Sequence, residues 1–245
     1  MSEIVFIGTS DAFGAGGRRQ SAVLLRAPNG GALLDCGQTT CAGLTDLGIE
    51  RDEIDVVAIS HFHGDHYGGI PSLLLAALYE DQRTKPLHVV GPTGIEARVR
   101  ELMTALCYEV EERSWTFPIH YAEFGDGQSI EAGPIKLGAF STVHQTHTCP
   151  HGLIADTGSA RVVYSGDTGW FPELPARVGD ADLFVCECTY HSTRFDFHLN
   201  HELLVEHERE FECGRIVLTH LGSEMTDRRG QAAFETADDG SILKL

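Results

Sequence analysis

Residues 59–66 read Ile-Ser-His-Phe-His-Gly-Asp-His, which places His61, His63, Asp65 and His66 within six positions. Imidazole nitrogen and carboxylate oxygen are the donors that hold divalent transition cations. Alternate side chains of an extended segment point the same way, so His61 and His63 can address one point. A turn at Gly64 brings Asp65 and His66 to a neighbouring point, an arrangement suited to two metal ions side by side. The spacers Phe62 and Gly64 offer no competing ligand.

Two metals with about three protein ligands each and a bridge need further donors. Three strand ends provide them: His144 closes Phe-Ser-Thr-Val-His, Asp167 follows Val163-Tyr-Ser-Gly, and His220 closes Ile216-Val-Leu-Thr-His. The elements that must position these residues are legible as apolar runs between turn signals. Strands are expected over 4–8, 22–26 and 32–35 as an opening meander with an Asn-Gly turn, then over 56–60, 87–90, 119–124, 135–143, 152–156, 161–164, 183–186 and 215–218. Helical spacing covers 39–47, 71–79, 95–107 and 201–210, with a short helix near Pro172. No linker, low-complexity tract or short repeat interrupts them, so residues 1–245 are expected to form a single α/β sandwich domain.

In order and spacing these motifs resemble the metallo-β-lactamase superfamily over nearly the whole chain. Asp35 in Leu-Leu-Asp-Cys-Gly matches the first motif, His61, His63, Asp65 and His66 the second, His144 the third, Asp167 the fourth and His220 the last. Gly8-Thr-Ser-Asp-Ala-Phe, Tyr164-Ser-Gly-Asp-Thr and Leu218-Thr-His-Leu are similar to the ribonuclease Z-like and phosphodiesterase branch. The resemblance implies a four-layer αββα sandwich of two similar halves with the metals at one sheet edge. It further implies that one metal takes His61, His63 and His144 and the other Asp65, His66 and His220, with Asp167 bridging. His147 and His151 compete for the third histidine position, and His144 is preferred because it terminates the strand directly. Asp35 is expected to accept the free ring N–H of a ligand histidine.

The donor set lacks soft thiolate and suits Zn²⁺ first, with Mn²⁺ or Fe as alternatives. Two cations sharing a water would lower its pKa towards neutrality and give a hydroxide nucleophile, oriented by Asp65, while offsetting charge on phosphoryl or carbonyl oxygens. A leaving alkoxide also needs a proton. By resemblance His198, in Asp196-Phe-His-Leu-Asn-His201, is the candidate general acid, with Glu187 tuning it and His191 and His201 as rivals. Cys186 and Cys188 around Glu187 are read as packing.

Composition narrows the substrate. Eighteen basic residues against 36 acidic ones give a net charge of −18, and Arg18-Arg19 and Arg228-Arg229 are the densest basic groups. Binding to polyanions needs clustered Lys and Arg, and the flexible basic arm of the tRNA-processing enzymes of this branch has no counterpart here. Structured nucleic acid is therefore not the expected partner. The expectation is a binuclear metal-dependent hydrolase of a small phosphodiester, such as a cyclic nucleotide or dinucleotide. Hydrolysis of a carboxylic ester, lactone or thioester is the alternative, and a non-enzymatic metal-binding protein the bland one. Seven cysteines without a CxxC pair, together with the absence of a signal peptide or membrane-spanning run, give a cytoplasmic expectation with reduced thiols and no membrane partner. A homodimer is compatible with all of this. The loop from Tyr108 to Phe117, with Trp115, is a candidate cover for the substrate pocket, with packing as the equal alternative for its aromatic residues.

Overall fold

A computed structural model of the chain describes residues 2–108 and 110–245. Its first half runs β1 (Glu3–Gly8), β2 (Ala22–Ala27), β3 (Gly30–Leu34), α1 (Thr40–Asp46), β4 (Ile54–Ala58), α2 (Gly64–Tyr67), α3 (Ile70–Tyr79), β5 (Leu87–Pro92), α4 (Ile95–Ala105) and β6 (Ile119–Phe124). The second runs β7 (Ser129–Ala132), β8 (Ile135–Ser141), β9 (His151–Asp156), β10 (Arg161–Tyr164), α5 (Leu174–Val178), β11 (Leu183–Glu187), α6 (His201–His207), β12 (Ile216–Thr219), α7 (Ser223–Arg228), β13 (Glu235–Thr236) and β14 (Ile242–Lys244).

These strands form two seven-stranded sheets, ordered β14-β1-β2-β3-β4-β5-β6 and β13-β12-β11-β10-β9-β8-β7. Each sheet passes from antiparallel to parallel pairing. In the first, β1 to β3 are antiparallel and β3 to β6 parallel. In the second, β7 to β10 are antiparallel and β10 to β13 parallel. The chain crosses between sheets at the turn after β6, and β14 returns to pair with β1.

The inner faces meet in a shared core that includes Phe6, Leu34, Val90, Leu137, Leu153 and Val185. Helices α1, α3 and α4 cover the outside of the first sheet through Leu44, Leu74 and Val99. Helices α5, α6 and α7 cover the second through Leu174, Leu204 and Met225. A strand buried on both faces has no polar side to show, which is why Val56–Ile59 is uninterruptedly apolar. Among the described residues no helix is long and apolar enough to cross a membrane.

Pairing direction puts the chemistry in one place. Strand β8 is antiparallel to β9, and β9 to β10, so β8 points the same way as β10, β11 and β12. Their carboxyl ends share one edge of the sandwich, facing the carboxyl ends of β3 and β4. Such edges are where open α/β sheets bind ligands.

In the loop from Tyr108 to Phe117 the packing alternative holds for the aromatics; Glu109 within it falls outside the described residues. Trp115 and Phe117, with rings 5.6 Å apart, pack into the outer cluster of the first sheet. There they line a separate cavity of about 790 Å³ with Arg100, Met103 and Tyr121. The loop follows α4 to β6, the strand at the far margin of its sheet, so its aromatics are drawn to α4 and away from the carboxyl edge.

Candidate metal centre

The motif after β4 turns at Gly64, so His61 and His63 precede α2 while Asp65 and His66 lie in its first turn. His144 follows β8, Asp167 follows β10 and His220 follows β12. The bend into Asp167 requires Gly166: its φ is 56°, and a Cβ there would stand 2.6 Å from the His151 carbonyl oxygen. A side chain would be strained both by conformation and by contact.

Two donor groups share Asp167, and Glu187, His198 and His220 form a third. His61, His63, His144 and Asp167 form one, and Asp65, His66, Asp167 and His220 the other. In the first, His61 Nε2 and His144 Nε2 each lie 3.1 Å from His63 Nδ1, with Asp167 Oδ2 at 3.7 Å from His61 and 3.9 Å from His144. In the second, His66 Nε2 lies 3.3 Å from both Asp65 Oδ2 and Asp167 Oδ1. His220 Nε2 lies 3.4 Å from the same two oxygens. Asp167 thus gives one oxygen to each group.

The opposite edge of each ring fixes which nitrogen is bare. His66 Nδ1 donates to Asp35 at 2.7 Å, and His144 Nδ1 to the Phe197 carbonyl at 2.8 Å. His220 Nδ1 donates to Thr189 Oγ1 at 2.9 Å. Ser60 Oγ gives its hydrogen to Asp35, 2.8 Å away, and so accepts from His61 Nδ1 at 3.0 Å. Each of these rings therefore keeps Nδ1 engaged as a donor and turns Nε2 inward, the orientation of histidines held for metal ligation. His66 Nε2 and Asp167 Oδ1 are fully buried and have no hydrogen-bond partner. Buried polar atoms are almost always paired, so converging bare nitrogens beside two carboxylates fit divalent cations.

Electrostatics divides the groups. Burial and neighbouring imidazoles depress His61 well below the usual histidine range, and burial depresses His63 and His144. Those three are neutral and ready to ligate. Burial would also depress His66 and His220, but Asp167 and Asp65 outweigh it and raise both. Burial opposes ionisation of Asp65 and Asp167, yet the adjacent histidines hold both carboxyls below their ordinary range.

Asp35 sits where sequence placed it and does more than hold His66: it also accepts from Ser60 N at 2.7 Å and Tyr164 Oη at 2.8 Å. His147 lies outside both donor groups, its ring 6.4 Å from that of His63, and His151 packs its ring against Phe124. His198 stands beside the centre, with Nδ1 2.9 Å from Glu187 Oε1 and its ring 5.4 Å from and nearly parallel to that of His220. Burial disfavours its protonation, but the Glu187 carboxylate and then Asp167 prevail and lift it to about 9. His201 accepts from Ala233 N and stacks on His191, away from the centre. Cys186 and Cys188 are buried in the outer core of the second sheet.

Thr189 went unrecognised in the sequence. Its Oγ1 touches Glu187 Oε2 at 3.1 Å and His198 Nδ1 at 3.3 Å as well as His220, tying His198 to the donor groups. A threonine two residues beyond Glu187 carries no spacing signal of its own.

A family model described as Anti-Pycsar protein Apyc1 matches residues 2–237. A ribonuclease Z of Natronomonas pharaonis is 32% identical over 159 residues, 64% of this chain and 49% of that protein. The chain thus spans about half the length of that relative. YhfI of Bacillus subtilis, named as a probable metallo-hydrolase, is 26% identical over 222 residues, covering 89% of this chain and 86% of YhfI. The crystal structure of YhfI superposes with a TM-score of 0.79 at 22% identity, each chain fully covered. Human tRNase Z, short form, superposes at 0.77 and 22% identity, covering 99% of this chain and 98% of that one. At such identity these two likenesses establish the metallo-β-lactamase fold.

Proposed function

The chain belongs to the Apyc1 anti-Pycsar family of metallo-β-lactamase-fold proteins, and on that premise we propose that it is a hydrolase of small phosphodiesters using two divalent cations, zinc first among them. The residues assigned to one cation are His61, His63 and His144, those assigned to the other are Asp65, His66 and His220, and Asp167 serves both. When bound, such a pair supplies Lewis acidity, easing deprotonation of water and offsetting charge on phosphoryl oxygens.

The protein's own groups do the rest. Asp65, a member of the second donor group, orients the attacking water. Glu187 holds His198 Nδ1–H, which fixes the tautomer and stabilises the imidazolium, so that His198 Nε2 can give its proton to the leaving oxygen. The single observation that carries the reading is this Glu187–His198 pair, 2.9 Å apart and one ring from the ligand His220. An unactivated alkoxide is too poor a leaving group to depart without a proton, and an acid poised beside the centre answers that need. A net charge of −18 favours a small substrate, such as a cyclic nucleotide or dinucleotide, over a nucleic-acid chain.

The test is a substrate screen with Zn²⁺ or Mn²⁺: bis-p-nitrophenyl phosphate and a cyclic nucleotide against a lactone and a thioester. Turnover of the phosphodiesters, abolished by a chelator and restored by the cation, is the expected result. Turnover of the lactone or thioester alone would move the chemistry to carbonyl carbon. Less than half an equivalent of bound metal after supplementation would overturn the binuclear assignment.

A further inference from the structure

His198 is one member of a row of near-parallel rings. Passing outward from the buried centre, His66 and His220 lie 5.2 Å apart at 27°, His220 and His198 5.4 Å apart at 12°, and His198 and Phe195 5.8 Å apart at 15°. The row begins at a fully buried ligand and ends at a ring that is 46% exposed.

One exposed phenylalanine is ordinary; the placement of this one is not. It lies at the tip of the segment from Tyr190 to Asn200, which is closed by the Phe195–His198 and Tyr190–Asn200 bridges. Three points anchor that segment. Glu224 accepts the backbone N–H of His191, Ser192 and Thr193. The Phe197 carbonyl receives His144 Nδ1–H. Gly169 lets the Asp196 carbonyl oxygen come so near that a Cβ would stand 1.9 Å from it. The Phe195 ring meets those of Tyr190 and Phe197 at 70° and 81°, with centroids 6.1 and 5.8 Å away.

We propose that Phe195 determines leaving-group specificity, by stacking a planar ring carried on the leaving side of the substrate. This role for Phe195 rests on the phosphodiesterase function proposed above. With phosphorus at the donor groups and the leaving oxygen at His198, the next position along the row is Phe195, so a flat substituent one sugar beyond the oxygen comes to lie on it. An aromatic platform holds such a ring without reading its edge, so it selects planar over non-planar leaving groups.

The test compares a 3′,5′-cyclic nucleotide with trimethylene phosphate, the same six-membered cyclic phosphodiester without sugar or base, on the metal-loaded protein. Stacking of a base contributes enough that Phe195→Ala should lower the preference in kcat/KM for the nucleotide by roughly 5- to 150-fold, mainly through KM. Phe195→Tyr should retain the preference. Phe195→Leu, apolar but not planar, should behave as the alanine variant does. Equal losses on both substrates would mean that the ring only props the segment, and no change in preference would remove it from specificity altogether; either overturns the platform while leaving the phosphodiesterase intact. Failure of the unsubstituted protein to hydrolyse either phosphodiester would instead overturn the function on which the platform depends.

Discussion

At His198 one nitrogen is committed to Glu187, and the ring stands outside the two donor groups that share Asp167, in a third with Glu187 and His220. Substitution can therefore separate proton delivery from cation binding. His198→Ala should keep both metals by elemental analysis yet lower kcat for an alkyl phosphodiester by roughly 10²–10⁴-fold. Hydrolysis of bis-p-nitrophenyl phosphate, whose nitrophenolate leaves unaided, should fall far less. Equal losses would move His198 to substrate positioning. Sequence alone exposed the donors in the 61–66 motif because they are neighbours in the chain. It was silent on Thr189, on the Tyr164 hydroxyl and on the Phe197 carbonyl. Tyr164 meets Asp35 from 129 positions away, a distance that only the packing of one sheet on the other closes.

Among the elements, the segment from Tyr190 to Asn200 carries His198 without regular structure of its own, and Glu224 at the start of α7 acts as its clamp. Four hydrogen bonds, from three consecutive amides and the Thr193 hydroxyl, hold the Glu224 carboxyl down at about 2. A depressed carboxyl pKa means that the clamp contributes fully above the ordinary value near 4.5 and is lost as pH falls through about 2. Glu224→Gln halves the acceptor capacity and removes the charge. Amide exchange at 191–193 should then quicken at neutral pH, while exchange in β10 and β11 stays as before. Unaltered exchange at 191–193 would show that the other two anchors suffice. Long apolar elements such as β4 and α3 were legible beforehand because burial on both sides leaves a continuous signal. The missed elements are short: α2 has four residues, β13 two, and α7 buries only Met225. Elements this small are set by what they dock against, which a local pattern does not record.

At the scale of the whole molecule, the centre draws His61, His63, Asp65 and His66 from the first sheet and His144, Asp167 and His220 from the second. A cation there ties the layers together, and binding to the folded state alone adds to its stability. With metal at 100 times its dissociation constant, chelation should lower Tm by about 5–10 °C for each site occupied. The shift should depend on cation concentration and shrink in His63→Ala; a Tm indifferent to chelator would show that the layers close without the metal. The single passage between sheets at the turn after β6, with β14 returning to β1, has a further consequence for a chain cut at Asp126–Gly127. The leading fragment would hold four donors and lack its edge strand, and the trailing fragment would hold three donors and the strand the other lacks. Neither piece could be a metalloenzyme, yet mixed together they own two independent fasteners, one of backbone hydrogen bonds and one of coordination. The pair would behave as a split protein whose complementation a chelator weakens without abolishing it.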